Sequence, residues 1–128
     1  LKGTALTEMA ELTDAGCVTP HMVEMLDGCD GLVLECNHDA EMLRNGSYPL
    51  SLKQRVGGRL GHLDNMSAAS LLGQIDRRRL QHVVAAHLSE QNNMPELARA
   101  ALAGVLGCQP QEVAVADQQK GFDWRQLC

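Results

Sequence analysis

Four side chains in this sequence are of types that bind cations or move protons and stand where the chain turns. Asp14 lies in Thr13-Asp14-Ala15-Gly16 and Glu35 in Leu34-Glu35-Cys36-Asn37-His38-Asp39. His62 lies in Gly61-His62-Leu63-Asp64-Asn65, and His87 opens His87-Leu88-Ser89-Glu90-Gln91-Asn92-Asn93. Carboxylate and imidazole together suit general acid–base work and divalent cations. Each residue also has an ordinary structural role: the aspartate of a Thr-Asp-Ala-Gly turn as an Asx-turn or cap, a histidine at a strand end as a hydrogen-bonded anchor. No His-x-His or His-x-x-x-His pair occurs, so spacing alone does not make a metal site.

These residues have to be positioned by the elements around them. Residues 1–12 show weak helical spacing and no strand-like alternation. Thr19 caps a helix begun by Pro20, in which Met22, Val23 and Leu26 recur at helical spacing and Asp27-Gly28 ends the run. Gly31 to Glu35 is a short apolar run that reads as a buried strand. A brief helix from Asp39 to Leu43 closes at Asn45-Gly46. A long glycine-interrupted loop is expected from Ser47 to Gly61, functional or mobile in character. Asn65 caps a helix through Ala68, Ala69, Leu71 and Leu72. His82 to His87 is a second strand, Asn93 and Pro95 open a helix from Glu96 to Leu106 stopped by Gly107, and Glu112 to Ala116 is a third strand. Alternation of this kind argues for an α/β layer architecture. Ligands of such sheets bind beyond the carboxyl ends of the strands, where Glu35 and His87 stand, and His62 can share that crevice.

Composition sets the bounds. With 128 residues and 45% hydrophobic side chains, the chain has the size and apolar content of one domain or a large piece of one. Tyr48, Phe122 and Trp124 are the only aromatics, leaving Leu, Val, Ala and Met to build the core. A net charge of −5 makes the whole chain no trap for nucleic acid or acidic membrane. Two local basic runs stand apart, Arg77-Arg78-Arg79 and Lys53/Arg55/Arg59, either as solvated surface or as contacts to substrate phosphates. Five cysteines without a Cys-x-x-Cys pair, and no leader sequence, fit free thiols in a reducing cytoplasm. No apolar run approaches the roughly 18 residues of a membrane span. A start at Leu1 allows a fragment.

Taken in order, Thr-Asp-Ala-Gly, then LECNHD with NGSYPLSLKQRVGGRLGHLDN, then HLSEQNN before a proline-initiated helix, resemble one branch of the metallo-β-lactamase fold. That branch is the WalJ/YycJ-type bacterial nucleases, described as double-stranded DNA exonucleases, and the resemblance covers roughly residues 12 to 127, including the closing Gly-Phe-Asp-Trp segment. It implies that Asp14 bridges two metal ions and that His87 binds the second. His62 resembles the histidine that related phosphodiesterases place near the scissile phosphate as proton donor, and Glu35 matches the acidic residue that orients it. His38 and Asp39 belong to the branch's own signature, with an accessory role. Two divalent cations, Zn²⁺ or Mn²⁺, would then activate a water that attacks phosphorus.

The resemblance is to a C-terminal half. Members of the fold carry a His-x-His-x-Asp-His motif and a further histidine ahead of the aspartate, and residues 1–13 supply neither. Glu8 and Glu11 stand where the family has an apolar strand. The expected fold is therefore one mixed sheet with flanking helices, half of an αββα sandwich, as a single partial domain over residues 1–128 with 1–12 departing from the family. The expected function is a metal-dependent phosphodiesterase or DNA exonuclease, inactive as this chain, with DNA as partner of the parent enzyme and no membrane. A non-catalytic half-domain that self-associates through its apolar sheet face, or a hydrolase of the same fold with another substrate, are the competing readings.

Overall fold

The short apolar runs pair with one another in chain order. In the computed structural model, which describes residues 9–12, 16–59 and 61–116, the sheet order is β1 (Met9–Leu12), β2 (Gly31–Glu35), β3 (His82–Ala86), β4 (Ala114–Val115). Every neighbouring pair is parallel. Parallel neighbours cannot be joined by a hairpin, so helices fill the connections. The link from β1 to β2 carries α1 (Pro20–Leu26). The link from β2 to β3 carries α2 (Ala40–Asn45), α3 (Leu50–Gly57) and α4 (Asn65–Gln74), and α5 (Pro95–Leu106) precedes β4. Crossovers of one hand that advance in one direction place their helices on one face. There α4 and α5 pack on each other and reach β2 and β4.

Register decides which side chains meet that layer. Ala10, Leu32 and Val83 form one row, and Leu12, Leu34, Ala85 and Val115 the next; both belong to the core with Leu71, Leu72 and Leu102 of the helices. The intervening row, Glu11, Val33, Val84 and Ala114, lies on the opposite face of the pleat and outside that core.

Local chemistry sets the helix ends. Thr19 Oγ1 accepts from Met22 N at 3.3 Å and Pro20 begins α1, as its sequence predicts. Asp39 caps α2, accepting from Met42 N at 3.0 Å. Gly107, at φ 71°, takes the left-handed conformation that closes α5 and returns its N–H to Ala103.

Several expectations are corrected. The described strands form a parallel sheet rather than a mixed one. Met9–Leu12 is a strand although its sequence shows no alternation; at a sheet edge two inward residues, Ala10 and Leu12, suffice, and Glu11 remains exposed. The expected loop from Ser47 to Gly61 contains α3, a helix with no fully buried side chain, whose short apolar repeat of Leu52 and Val56 is obscured by Pro49 and the Gly57-Gly58 pair on either side. Asp64, not Asn65, caps α4, accepting from Ser67 N at 2.7 Å. The third strand shrinks to Ala114–Val115 because a 3₁₀ turn takes Pro110–Glu112. The Gly121–Trp124 segment lies outside the described residues.

Close backbone approach fixes where α3 sits. A Cβ at Gly61 would overlap the carbonyl oxygens of Val56 and Arg55, whereas one at Gly104, inside α5, meets nothing within 4 Å. Gly61→Ala should therefore cost about 2 kcal/mol or more, and Gly104→Ala should gain about 0.5–1 kcal/mol from helix propensity. Urea unfolding of the two variants checks this. Equal effects would mean that the α3–Gly61 contact is not formed.

Candidate active site

Glu35 ends β2 directly opposite Ala86 of β3, so the chain segments leaving both strands emerge at the same sheet edge. A third segment, between α3 and α4, is drawn to that edge by Asn37 N donating to Leu63 O at 3.0 Å. Between them opens a cleft of about 650 Å³ whose lining includes Glu35, Asn37, Tyr48, Val56, His62 and His87. This is the crevice expected beyond the strand ends.

Glu35 is wholly buried, and a buried carboxylate needs donors. Its Oε1 accepts from His62 Nδ1 at 3.2 Å and its Oε2 from Leu63 N at 3.2 Å. His87 Nδ1 lies 3.7 Å from the same Oε1. With Nδ1 of His62 given to Glu35, proton exchange with anything in the cleft falls to Nε2. The His62 and His87 side chains are 37% and 50% exposed, so both rings meet solvent while their shared carboxylate does not.

His87 is the one non-glycine residue at positive φ among the described residues, at 58°. That conformation turns the chain sharply at the end of β3, at some energetic cost for a residue with a Cβ. Asn37 holds it: its Nδ2 donates to His87 O at 3.1 Å, and its carbonyl accepts from Ser89 N at 2.7 Å. Asn37 Oδ1 faces His38 Nδ1 at 3.1 Å. Since the amide already donates from Nδ2, His38 must carry its proton on Nδ1. Burial dominates at His38 and lowers its pKa from the ordinary value.

Behind the cleft, three segments are fastened by a reciprocal amide pair. Asn65 Nδ2 donates to Asn93 Oδ1 at 2.8 Å, and Asn93 Nδ2 donates to Asn65 Oδ1 at 2.9 Å and to Cys36 O at 2.8 Å. Both asparagines are buried. One knot thereby joins the end of β2, the start of α4 and the approach to α5. Reading the sequence finds Asn65 and Asn93 only as caps and misses Asn37; the signal available was that each sits within the same short segments as Glu35, His62 and His87.

The sequence-derived site residues thus separate. Glu35, His62 and His87 come together in the cleft. His38 and Asp39 do not line it: His38 is packed behind Asn37, and Asp39 caps α2. Asp14 lies outside the described residues; Gly16, two residues on, is pressed against the carbonyls of Gly58 and Arg59. Of the two basic runs, Arg77–Arg79 belongs to the opposite edge of the sheet. Arg77 Nη1 donates to Leu72 O at 2.8 Å, Arg78 Nη2 meets Asp76 Oδ2 at 2.7 Å, and Arg79 meets Asp30 at 3.3 Å. Hydrogen bonds from Arg78 hold the Asp76 carboxyl down to about 2.

Among the described residues no three His, Cys, Asp or Glu side chains gather to hold a metal ion. Glu35 has both oxygens engaged by protein donors, so it orients rings rather than coordinating, and His87 alone offers an exposed imidazole at the strand end. The described residues do not by themselves fit a metal centre. No helix among them is long and apolar enough to cross a membrane.

Comparison with known proteins finds relatives of the chain. The chain is 41% identical over 99 residues to a Bacillus anthracis protein named exodeoxyribonuclease YycJ, covering 77% of the chain and 38% of that relative. It is 37% identical over 114 residues to proteins named exodeoxyribonuclease WalJ from two Streptococcus pneumoniae strains, covering 89% of the chain and 40% of each relative. The chain therefore spans about two fifths of the length of the curated relatives it matches. No family model and no solved structure matches it.

Two outcomes follow from the geometry. His87→Gly relieves the positive φ and should leave stability unchanged or raise it by up to about 1 kcal/mol, whereas His87→Ala retains the strain and should not. A marked loss in the glycine variant, read by urea unfolding, would mean that the His87 ring carries packing energy instead. The lowered pKa of His38 means that the unfolded chain takes up the proton first as pH falls. Stability from His38 is complete above about pH 6.5 and is lost progressively below it. Urea midpoints should drop less steeply between about pH 7 and 5 in His38→Asn than in the parent; equal slopes would contradict the assignment.

Proposed function

Because the chain belongs to the YycJ/WalJ-type exodeoxyribonuclease family over the stretch that it spans, we propose that it is the acid–base and leaving-group side of a DNA phosphodiesterase site. The observation that carries this is Glu35, buried and bonded to His62 Nδ1, beneath an open cleft at the strand ends. A carboxylate in that position fixes the imidazole ring, selects the tautomer and raises its basicity. In its doubly protonated form His62 then gives the Nε2 proton to the oxygen that leaves phosphorus and returns to the neutral ring that holds its proton on Nδ1. His87, turned toward the cleft by its left-handed backbone, and Asp14 are the chain's contributions to a centre of two divalent cations, Zn²⁺ or Mn²⁺. Such cations would activate water and neutralise phosphate charge.

That centre needs ligands beyond those described here, which fits a chain matching two fifths of its relatives. The remaining length would also supply the second sheet of a metallo-β-lactamase sandwich. It would meet the face of the pleat opposite the helix layer, where Val33 is half-buried and Val84 and Ala114 are already screened within this chain. Parallel sheets are normally covered on both faces, which supports the same reading.

A hybrid tests this directly: a YycJ or WalJ relative whose matching segment is replaced by this chain. It should release nucleotides from DNA with Mn²⁺ or Zn²⁺. His62→Ala should lower kcat by about 10²–10⁴ with little change in KM, and Glu35→Gln should follow it. The chain alone should release none. A folded but inactive hybrid would overturn the reading, and turnover by the chain alone would overturn its incompleteness.

A further inference from the structure

Within a chain of net charge −5, residues 42–63 contain no aspartate or glutamate at all, yet hold Arg44, Lys53, Arg55 and Arg59 out of eleven lysines and arginines. This stretch includes α3 and the turn leading to His62. α3 buries no side chain fully, so the core does not account for its presence. Its placement comes from the backbone instead. His62 N donates to Val56 O at 2.9 Å, Gly61 is pressed on the Arg55 and Val56 carbonyls, and Gly16 on those of Gly58 and Arg59. Val56 lines the cleft. The helix is therefore a wall of the cleft.

Its cations divide into two groups. Lys53 Nζ is tied to Arg44 O at 2.7 Å, and Arg44 to Glu41 at 2.8 Å. Arg55 and Arg59 are both exposed and sit on the stretch without acids, on either side of the Gly57-Gly58 pair. A solvated helix ordinarily mixes charges of both signs. Here the acidic groups lie elsewhere, Glu35 in the cleft floor and Glu90 in the lining. The acid-free stretch thus carries two exposed arginines on the element that forms one wall of the cleft.

We propose that Arg55 and Arg59 form a ledge that binds the phosphate backbone of the DNA strand lying across the cleft. This rests on the phosphodiesterase reading of the cleft and adds to it the side from which the strand is held. Arginine suits the role because its planar donors pair with phosphate oxygens without reading bases. Contacts of this kind act through counterion release, so they set affinity and its salt dependence rather than the chemical step. The run at Arg77–Arg79, engaged at the far edge of the sheet, has no part in it.

The test uses this chain with a short fluorescein-labelled single DNA strand, followed by anisotropy across a salt series in EDTA, so that cleavage does not enter. Arg55→Gln and Arg59→Gln should each weaken binding about five-fold near 0.1 M salt and reduce the slope of log K against log salt by about 0.7. Arg78→Gln, removing the same charge at the far edge, should change neither. Thermal melts show whether each variant stays folded, and the exposed positions make that the expected result. If the parent binds and the Arg55 and Arg59 variants bind equally well with the same slope, the ledge is overturned and the phosphodiesterase reading stands. Equal losses in all three variants would also overturn it, since binding would then follow total charge. If the parent binds no DNA, the ledge is overturned too, and activity of the hybrid enzyme then decides separately whether the cleft is a phosphodiesterase.

Discussion

A carboxylate taken wholly out of water constrains everything around it. Glu35 sits at the end of a buried strand, where two donors are within hydrogen-bonding reach of its oxygens and a third group, the His87 ring, stands 3.7 Å away. Leu63 N and the His62 ring come from the segment before α4, and the His87 ring from the end of β3. Those segments are brought there by chain geometry: parallel pairing aligns the ends of β2 and β3, and the Asn65–Asn93 pair fastens the helix starts that follow. The amide knot and the buried carboxylate serve the same end. Each makes the relative position of three otherwise independent segments a matter of hydrogen-bond satisfaction rather than of loop preference.

The same arrangement explains why two histidines so close in space differ in role. His62 gives Nδ1 to Glu35 at hydrogen-bonding distance, while His87 lies farther from that oxygen and is aimed by its backbone. Strain at a functional position persists only when neighbours over-determine it. Here Asn37 clamps the His87 carbonyl and also fixes the tautomer of His38 behind it. His38 is thus a structural support one residue removed from the cleft, and its lowered pKa reflects burial more than chemistry.

Much of the scaffold was legible in the sequence where a local signal exists. Thr19-Pro20 and Pro95 with Gly107 mark α1 and α5 because capping and backbone limits act within a few residues. The runs at 31–35 and 82–86 mark strands because both faces of a parallel sheet are screened from water. β1 escaped because an edge strand needs only Ala10 and Leu12 inward, and α3 because it contributes nothing wholly to the core. At α4 the choice between Asp64 and Asn65 turns on a contact with Asn93 that lies 28 residues away, which no local rule can see. The pairing of Glu35 with His62 is equally non-local. Spacing marked both only as polar residues at turns, and family resemblance joined them before the geometry did.

What the account most needs is the protonation pattern of one ring. Long-range ¹H–¹⁵N correlation spectra of the histidine side chains, recorded at a pH where the imidazoles are neutral, report which nitrogen carries the proton. The geometry requires His62 to hold it on Nδ1, facing Glu35, and to revert toward the Nε2 form common in free imidazole side chains when Glu35 is replaced by alanine. A His62 that carries its proton on Nε2 in the unmodified chain would contradict the account at its centre.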